Sequence, residues 1–210
     1  MASYPHRRDE HRHDDEPMRL FVALVPPPEA LAELAAALAA LPDTPGVRWT
    51  RSEQWHVTLA FLAEVDDRKR DELAERLTRV AHRHAPPTLA LAGGGRFGKQ
   101  ALWTRVEGDR TALRRIADSV RGAARRCGLP TDSRPYRPHL TLARGGHPAP
   151  DLAPLAAALD GFTGRSWTAA ELHLVRSVLG AGPGRTARHE TVATWPLTGR
   201  RPTVPDQNRS

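Results

Sequence analysis

The chain has 210 residues, 40% of them hydrophobic, which is enough to fill the core of one domain or of two tightly fused lobes. Its single cysteine excludes an internal disulfide and a thiolate metal cluster, so we expect a cytoplasmic protein. No apolar run approaches the length of a membrane span, and the polar N-terminus is unlike a signal peptide. The formal net charge of +7 favours phosphate-bearing partners, although an arginine-rich proteome would produce the same excess.

Hydrophobic periodicity divides the chain into a body, residues 18–199, and two polar ends, residues 1–17 and 200–210. The ends contain too few apolar side chains to offset the entropy of ordering, so we predict disordered tails there. Strands and helices alternate along the body, which predicts an α+β fold with mainly antiparallel sheets. The predicted strands are 19–25, 55–63, 88–97, 102–106, 138–144, 171–179 and 188–195, and the predicted helices are 29–41, 66–84, 109–127 and 152–159.

A tetrapeptide of the form His-x-Thr-Leu occurs twice, as residues 56–59 and again as residues 139–142. Random placement of the histidines, threonines and leucines of this chain would give about 0.09 such tetrapeptides, so two matches are a specific signal. Both lie inside predicted strands, 83 residues apart. The duplication predicts two pseudo-equivalent lobes, each of which contributes one histidine.

Alternating side chains in a strand place His56 and Thr58 on one face, and His139 and Thr141 on the corresponding face of the other strand. Two imidazoles can act as the acid and the base that cleave a phosphodiester, while the hydroxyls hold its oxygens. A histidine-only metal site and a purely structural pair of core histidines remain alternatives. We predict surface or filler roles for the remaining histidines, His189 among them.

Several segments resemble the RNA 2′,3′-cyclic phosphodiesterase family, also called 2′-5′ RNA ligases, of the two-histidine phosphoesterases. The resemblance spans roughly residues 18–198 and implies a bilobal fold of two pseudo-symmetric lobes, with helices on the outer faces and a central basic cleft. The segments are residues 19–24, residues 55–65, residues 136–144 and residues 175–177, in the expected order.

The resemblance also implies hydrolysis of a terminal 2′,3′-cyclic phosphate of RNA to a 2′-phosphate, with a related reverse reaction that forms 2′-5′ linkages. His56 would be the proton donor and His139 the proton acceptor. Thr58 and Thr141 would hold the phosphate, and Arg144 would contact the nucleotide. No metal, no cofactor and no obligate protein partner is expected, and the protein would be a monomer.

Two tryptophans lie near the motifs, and we predict that both Trp55 and Trp103 pack in the core rather than stack on a base. Two other functions remain open at this point. The chain could be a binding protein for RNA ends that has lost turnover, or a phosphodiesterase for small cyclic nucleotides or cyclic phosphates of nucleotide sugars, because these share the same acid and base. The sequence contains no P-loop, dinucleotide fingerprint or zinc-ligand spacing.

Overall fold

The structure, a computed structural model, describes residues 17–182 and 186–200. Apart from Pro17 and Arg200, the predicted tails lie outside these residues. The described residues form nine strands, four α-helices and one short 3-10 helix, Ser52–Gln54. The strands are β1 (Met18–Leu24), β2 (Val47–Trp49), β3 (Val57–Val65), β4 (Thr88–Phe97), β5 (Ala101–Gly108), β6 (His139–Gly145), β7 (Trp167–Thr168), β8 (Glu171–Val178) and β9 (Arg188–Pro196), and the helices are α1 (Pro28–Ala39), α2 (Asp67–Arg83), α3 (Arg110–Arg126) and α4 (Ala153–Ala158).

The two long helices begin where the sequence supplies an N-cap. Asp66 accepts a hydrogen bond from the backbone N–H of Lys69 at the start of α2, and Asp109 caps α3 in the same way. Leucine and other aliphatic side chains at helical spacing form the buried stripe of each helix. No helix in the described part of the chain combines the length and apolarity that crossing a membrane would require.

One antiparallel sheet runs through the molecule in the order β7-β4-β5-β6-β3-β1-β8-β9, with β2 paired to β6. It divides into a first half, β3-β1-β8-β9, and a second half, β6-β5-β4-β7. Among the ladder pairs that the structure describes, only Val57 with Leu140 joins the two halves. The motif strands β3 and β6 are therefore the inner strands of their halves, and the halves meet at the motifs.

With the short elements β2, β7 and the 3-10 helix set aside, the chain runs through the same series of elements twice before β9, as β1-α1-β3-α2-β4 and as β5-α3-β6-α4-β8. In each repeat, the first helix and the last strand pack in the half of the sheet opposite to the one that contains the repeat's other two strands. Helix α1 packs on β4 in the second half, while α3 packs on β3 and β8 pairs with β1 in the first half. The α+β fold with two pseudo-symmetric lobes is confirmed, and each lobe is assembled from both repeats.

Candidate active site

The two motifs lie side by side where the halves meet. Val57 and Leu140 are direct partners in the ladder, and both side chains are fully buried in the core. Their register places His56 opposite Thr141 and Thr58 opposite His139, all on the face away from the core. In a regular antiparallel ladder, such diagonal residues as the two histidines lie about 7–8 Å apart. The structure therefore brings the four predicted motif residues together.

The ring of His56 is held by a hydrogen bond and by aromatic neighbours. Its Nδ1 lies 2.6 Å from the carbonyl oxygen of Gln54, so this nitrogen carries the proton that it donates and Nε2 is left for a substrate. Phe21 stacks on the ring at 4.5 Å, and His189 meets it edge-on at 5.2 Å. Burial, followed by the positive charge of His189, lowers the pKa of His56 to about 4.

His139 is anchored by the same device. Its Nδ1 lies 2.7 Å from the carbonyl oxygen of Arg137, again two residues earlier in the chain. The rings of Phe97 and Trp103 lie 5.1 and 6.0 Å away. Burial is the main reason that the pKa of His139 is lowered, and the charge of Arg144 adds to the effect. Both imidazoles therefore present Nε2 as the atom that can exchange a proton.

A β-bulge brings Arg144 to the site. Thr141 and Ala143 pair with adjacent residues of β5, so Leu142 between them is an extra residue in the ladder. Leu142 and Ala143 are both fully buried, and the alternation resumes one residue late. Without the bulge, a spacing of five residues would place Arg144 on the opposite face from His139. With it, Arg144 lies on the same face, where its charge lowers the pKa of His56, His139 and His189.

Strand β3 contains the corresponding bulge. Thr58 and Ala60 pair with adjacent residues of β1, so Leu59 is the extra residue. Phe61 then occupies the place in β3 that Arg144 occupies in β6. Its side chain is 58% exposed, and its ring centre lies 6.0 Å from that of Phe21. The pseudo-symmetric positions beyond the two motifs thus carry an arginine and an exposed aromatic ring.

The segment between β2 and His56 braces the opposite half. The hydroxyl of Thr50 lies 2.7 Å from the carbonyl oxygen of Leu142 and 3.0 Å from that of Thr141. It therefore provides a hydrogen-bond donor to the backbone carbonyls at the bulge. The indole N–H of Trp55 donates to the same hydroxyl at 3.0 Å. Trp55 is buried, as predicted. The residues that lead into the first motif therefore fix the strand that carries the second.

Two aromatic neighbours of the site were assigned other roles from sequence. His189, predicted to have a surface or filler role, contacts Phe21 and His56, and its buried Nδ1 has no hydrogen-bond partner among the described residues. The amide of Gln54 donates to the carbonyl of Ala187 and holds this end of β9 beside the first motif. No local sequence signal marks His189, because its position depends on the register between β8 and β9.

Trp103 was predicted to lie in the core, and this prediction is wrong. Its ring is half-buried on the cleft side, between Phe97 and His139. Gly95 lies opposite on β4, where an added Cβ would come within 2.1 Å of the indole. A glycine in the partner strand makes room for the ring, and sequence spacing alone does not show which residue faces it.

No group of three histidine, cysteine, aspartate or glutamate side chains within the described ranges is arranged to hold a metal ion. The predicted independence from metals and cofactors stays a prediction that a chelator can test.

Comparison with known proteins is decisive for the family. The family model described as the 2′-5′ RNA ligase superfamily matches residues 26–181, which include both motifs. The chain belongs to the 2′-5′ RNA ligase superfamily. This confirms the expected family.

Curated relatives extend the similarity to the superfamily beyond the motifs. An RNA 2′,3′-cyclic phosphodiesterase from Thermus thermophilus is 32% identical over 174 residues, covering 77% of this chain and 83% of the relative. One from Geobacillus stearothermophilus is 33% identical over 155 residues, covering 72% of this chain. The match spans about half, 48%, of that relative's length.

Solved structures of superfamily members show the same architecture. Escherichia coli LigT, in its apo form, superimposes with a TM-score of 0.70 at 28% sequence identity, over 87% of this chain and 99% of LigT. LigT has also been crystallised with 3′-AMP.

Proposed function

We propose that this protein hydrolyses the terminal 2′,3′-cyclic phosphate of RNA and leaves a 2′-phosphate. One observation carries the proposal: two imidazoles, each with Nδ1 bound to a backbone carbonyl, share one face with two threonines and an arginine. The names of the curated relatives support the substrate class. The expected monomeric state and cytoplasmic location stay predictions.

The reaction needs a base on one side of phosphorus and an acid on the other. Nε2 of His139 takes a proton from water, and the water oxygen forms a bond to phosphorus. The bond from phosphorus to the ribose 3′ oxygen breaks, and Nε2 of His56 protonates that oxygen. The product has a 3′ hydroxyl and a 2′-phosphate, and one molecule of water has been added. If a 5′ hydroxyl replaces the water, the same steps join two RNA ends through a 2′-5′ linkage.

Because the pKa of His56 is lowered to about 4 in the free site, its role as the acid requires a bound substrate that stabilises the imidazolium. A depressed pKa makes the imidazolium of His56 a strong acid, suited to protonating an alkoxide that leaves. In the free site burial favours neutral imidazoles, and a bound cyclic phosphate supplies the negative charge that favours a protonated His56. Thr58 and Thr141 donate to the non-bridging oxygens, where charge develops in the transition state.

The nucleotide lies between the two halves. Arg144 provides a permanent positive charge and a planar guanidinium, and Phe61 provides an exposed ring at the equivalent position. Bases of single-stranded RNA are held by stacking on planes of this kind. We assign both residues to the terminal nucleotide, and the charge of Arg144, which acts on both motif histidines, also lies close enough to stabilise the reacting phosphate.

The test is hydrolysis of an oligoribonucleotide that ends in a 2′,3′-cyclic phosphate, with EDTA present and the position of the product phosphate determined. Wild type should give the 2′-phosphate. His56→Ala and His139→Ala should each lose about 10²–10⁴-fold in kcat, the usual contribution of a general acid or base. His82→Ala, on the outer face of α2, is the matched control and should retain full activity.

Three outcomes would contradict the proposal. Wild type that binds this RNA without turnover would be a binding protein for RNA ends. Activity confined to small cyclic nucleotides or cyclic phosphates of nucleotide sugars would keep the chemistry and remove RNA as the substrate. Turnover abolished by EDTA and restored by a divalent metal would replace the metal-independent mechanism.

A further inference from the structure

The positive charge of the chain is concentrated on one pair of outer helices. Helix α2 contains six basic and four acidic residues, and α3 contains six basic residues and one acidic residue, giving a net +7 for the pair. This equals the formal net charge of the whole chain. The two helices pack against each other on the core side of the first half.

The pseudo-symmetry provides an internal control for amino-acid composition. Helices α1 and α4 are the counterparts of α3 and α2, and they cover the second half. Their only charged residues are Glu29 and Glu33, so neither contains a lysine or an arginine. A general excess of arginine in the proteome would affect both helix pairs. The charge of α2 and α3 is therefore specific to that surface.

Several of these basic residues, together with Arg200, line a depression along α2 and α3 that consists of two neighbouring cavities. Two adjoining cavities of about 150 and 260 Å³ share Arg83 in their walls. Val80 and Ala123 contribute apolar surface to the first, and Asp109, which caps α3, lies in the second. We call this depression the arginine groove, defined by Arg76, Arg79, Arg83, Arg115, Arg126 and Arg200.

Most of this charge is not neutralised within the protein. Arg76 forms an ion pair with Glu72 at 2.8 Å. Arg79, Arg115 and Arg126 are exposed, and none of them forms an ion pair with an acidic side chain in the part of the chain that the structure describes. Clustered guanidinium groups repel each other, and each offers a planar fork that matches a phosphate. The arrangement is complementary to a polyanion.

We propose that the arginine groove is a second RNA-binding surface, which binds the phosphate backbone of the RNA body while the terminal cyclic phosphate occupies the cleft. From Arg115 to Arg126 the groove follows α3 for roughly 16 Å. That length can accommodate several successive phosphates of a single RNA strand. The arginines are spread along the groove rather than convergent on one point, which favours a chain of phosphates over a single small anion.

The groove and the cleft lie on opposite sides of the sheet. Helix α3 packs on the core face of β3, whereas His56 and Thr58 lie on the other face. An RNA that contacts both must extend well beyond its terminal nucleotides. The inference rests on the proposed function only in taking RNA as the substrate, and binding to the groove does not require a cyclic phosphate.

Two triple variants with the same change in charge on the same helices test the proposal. The groove variant combines Arg79→Gln, Arg115→Gln and Arg126→Gln. The control variant combines Arg68→Gln, Arg110→Gln and Arg114→Gln, which are exposed and lie outside the groove. Glutamine preserves helix propensity, and circular dichroism of both variants should show that the helices are retained.

The probe is a labelled single-stranded RNA of 20 nucleotides with a 3′ hydroxyl, bound at salt concentrations from 50 to 200 mM. Loss of three phosphate contacts should reduce the slope of log K against log salt by about 2 in the groove variant. Over this fourfold range of salt, the affinity of wild type should then fall about 16-fold more than that of the groove variant. The control variant should keep the wild-type slope.

Hydrolysis separates this site from the cleft. The groove variant should hydrolyse a dinucleotide 2′,3′-cyclic phosphate with unchanged kcat/KM, and should show a raised KM for a 20-nucleotide substrate. Equal losses of affinity in both triple variants, or RNA binding that neither variant weakens, would overturn the proposal; the latter would direct attention to an acidic protein partner. If wild type has no hydrolase activity, the binding assay still tests the groove.

Discussion

The first and second halves of the sheet place the same tetrapeptide in different surroundings. In the first half, His56 lies among aromatic rings and beside a second imidazole, His189. In the second half, His139 has Arg144 on its own strand and Trp103 beside it. The backbone device that fixes each ring is the same, a carbonyl two residues earlier. The repeat therefore sets the geometry of both rings, and burial lowers the pKa of both imidazoles, whereas His189 adds to the lowering at His56 alone.

The comparison bears on how a duplicated motif would provide both the acid and the base that we propose. Two identical histidine environments would compete for the same proton, and the pair would titrate as one coupled unit. Stronger burial and the neighbouring imidazole lower the pKa of His56 to about 4, while the pKa of His139 is lowered mainly by burial. Because both values lie below the usual 6.5, we expect the pH profile of kcat/KM for the free enzyme to peak on the acidic side of that value.

Among variants that keep both motif histidines, the largest effect should come from removing the charged member of the equivalent pair Phe61 and Arg144. Arg144→Gln should lower kcat/KM by about 10²–10³-fold, as for other donors that stabilise developing charge. It should also move the pH profile to higher pH, because the guanidinium lowers the pKa of His56 and His139. Phe61→Leu should raise KM and leave the pH profile in place. A profile that stays unmoved in Arg144→Gln would show that the charge acts on substrate alone.

The two threonines test whether both halves hold the phosphate. In our proposal each threonine hydroxyl donates to a charged oxygen of the phosphate, an interaction worth about 1.5–3 kcal/mol, so Thr58→Val and Thr141→Val should each lower kcat/KM by about 10–100-fold. Steady-state kinetics at one pH is sufficient. A loss in only one of the two variants would mean that a single half binds the phosphate and that the symmetry ends at the histidines.

A smaller effect is expected from His189, the additional imidazole beside His56 in the first half. His189→Gln removes a positive charge that lowers the pKa of His56, so this pKa should rise and the profile should shift to higher pH. We expect less than about a tenfold change in kcat/KM at pH 7, because His189 accounts for only part of the lowering of the His56 pKa. His82→Gln on α2 is the control for removing a histidine. An unchanged profile in His189→Gln would assign His189 a packing role.

The smallest effect on activity should come from the brace between the halves. Thr50→Val leaves the carbonyl oxygens of Thr141 and Leu142 without this donor, and the indole of Trp55 without its acceptor. We expect a loss of about 1–3 kcal/mol in the free energy of unfolding, measured by urea denaturation. Thr78→Val, whose hydroxyl bonds within α2, provides the comparison. Equal losses in the two variants would show that the bulge needs no brace.

Much of this arrangement could be predicted from sequence. The apolar runs, the helix caps Asp66 and Asp109 and the repeated tetrapeptide depend on neighbouring residues, and these predictions agree with the structure. The same holds for the shared face of histidine and threonine, which follows from strand geometry alone. Such features are local, so the sequence determines them without knowledge of the tertiary fold.

The rest depends on pairings between distant segments. The bulges at Leu59 and Leu142 arise only against β1 and β5, and they decide which face Arg144 occupies. His189 and Trp103 reach the cleft through the register of strands far away in the chain. A further signal was present in the sequence, because the final leucine of each motif is followed by alanine, and each bulge occurs at this Leu-Ala pair. The short strands β2 and β7 are too brief to have a pattern of their own.

The exchange of elements between the two repeats has a consequence for folding. Neither repeat contains the complete set of strands and helices for its own half, since α1 and β4 pack in one half and α3 and β8 in the other. The interlocked chain has to form many contacts between distant segments before either core closes, which slows folding. Although the halves share so little backbone pairing, they should melt together in a single cooperative transition, and a fragment that ends after β4 should not fold alone.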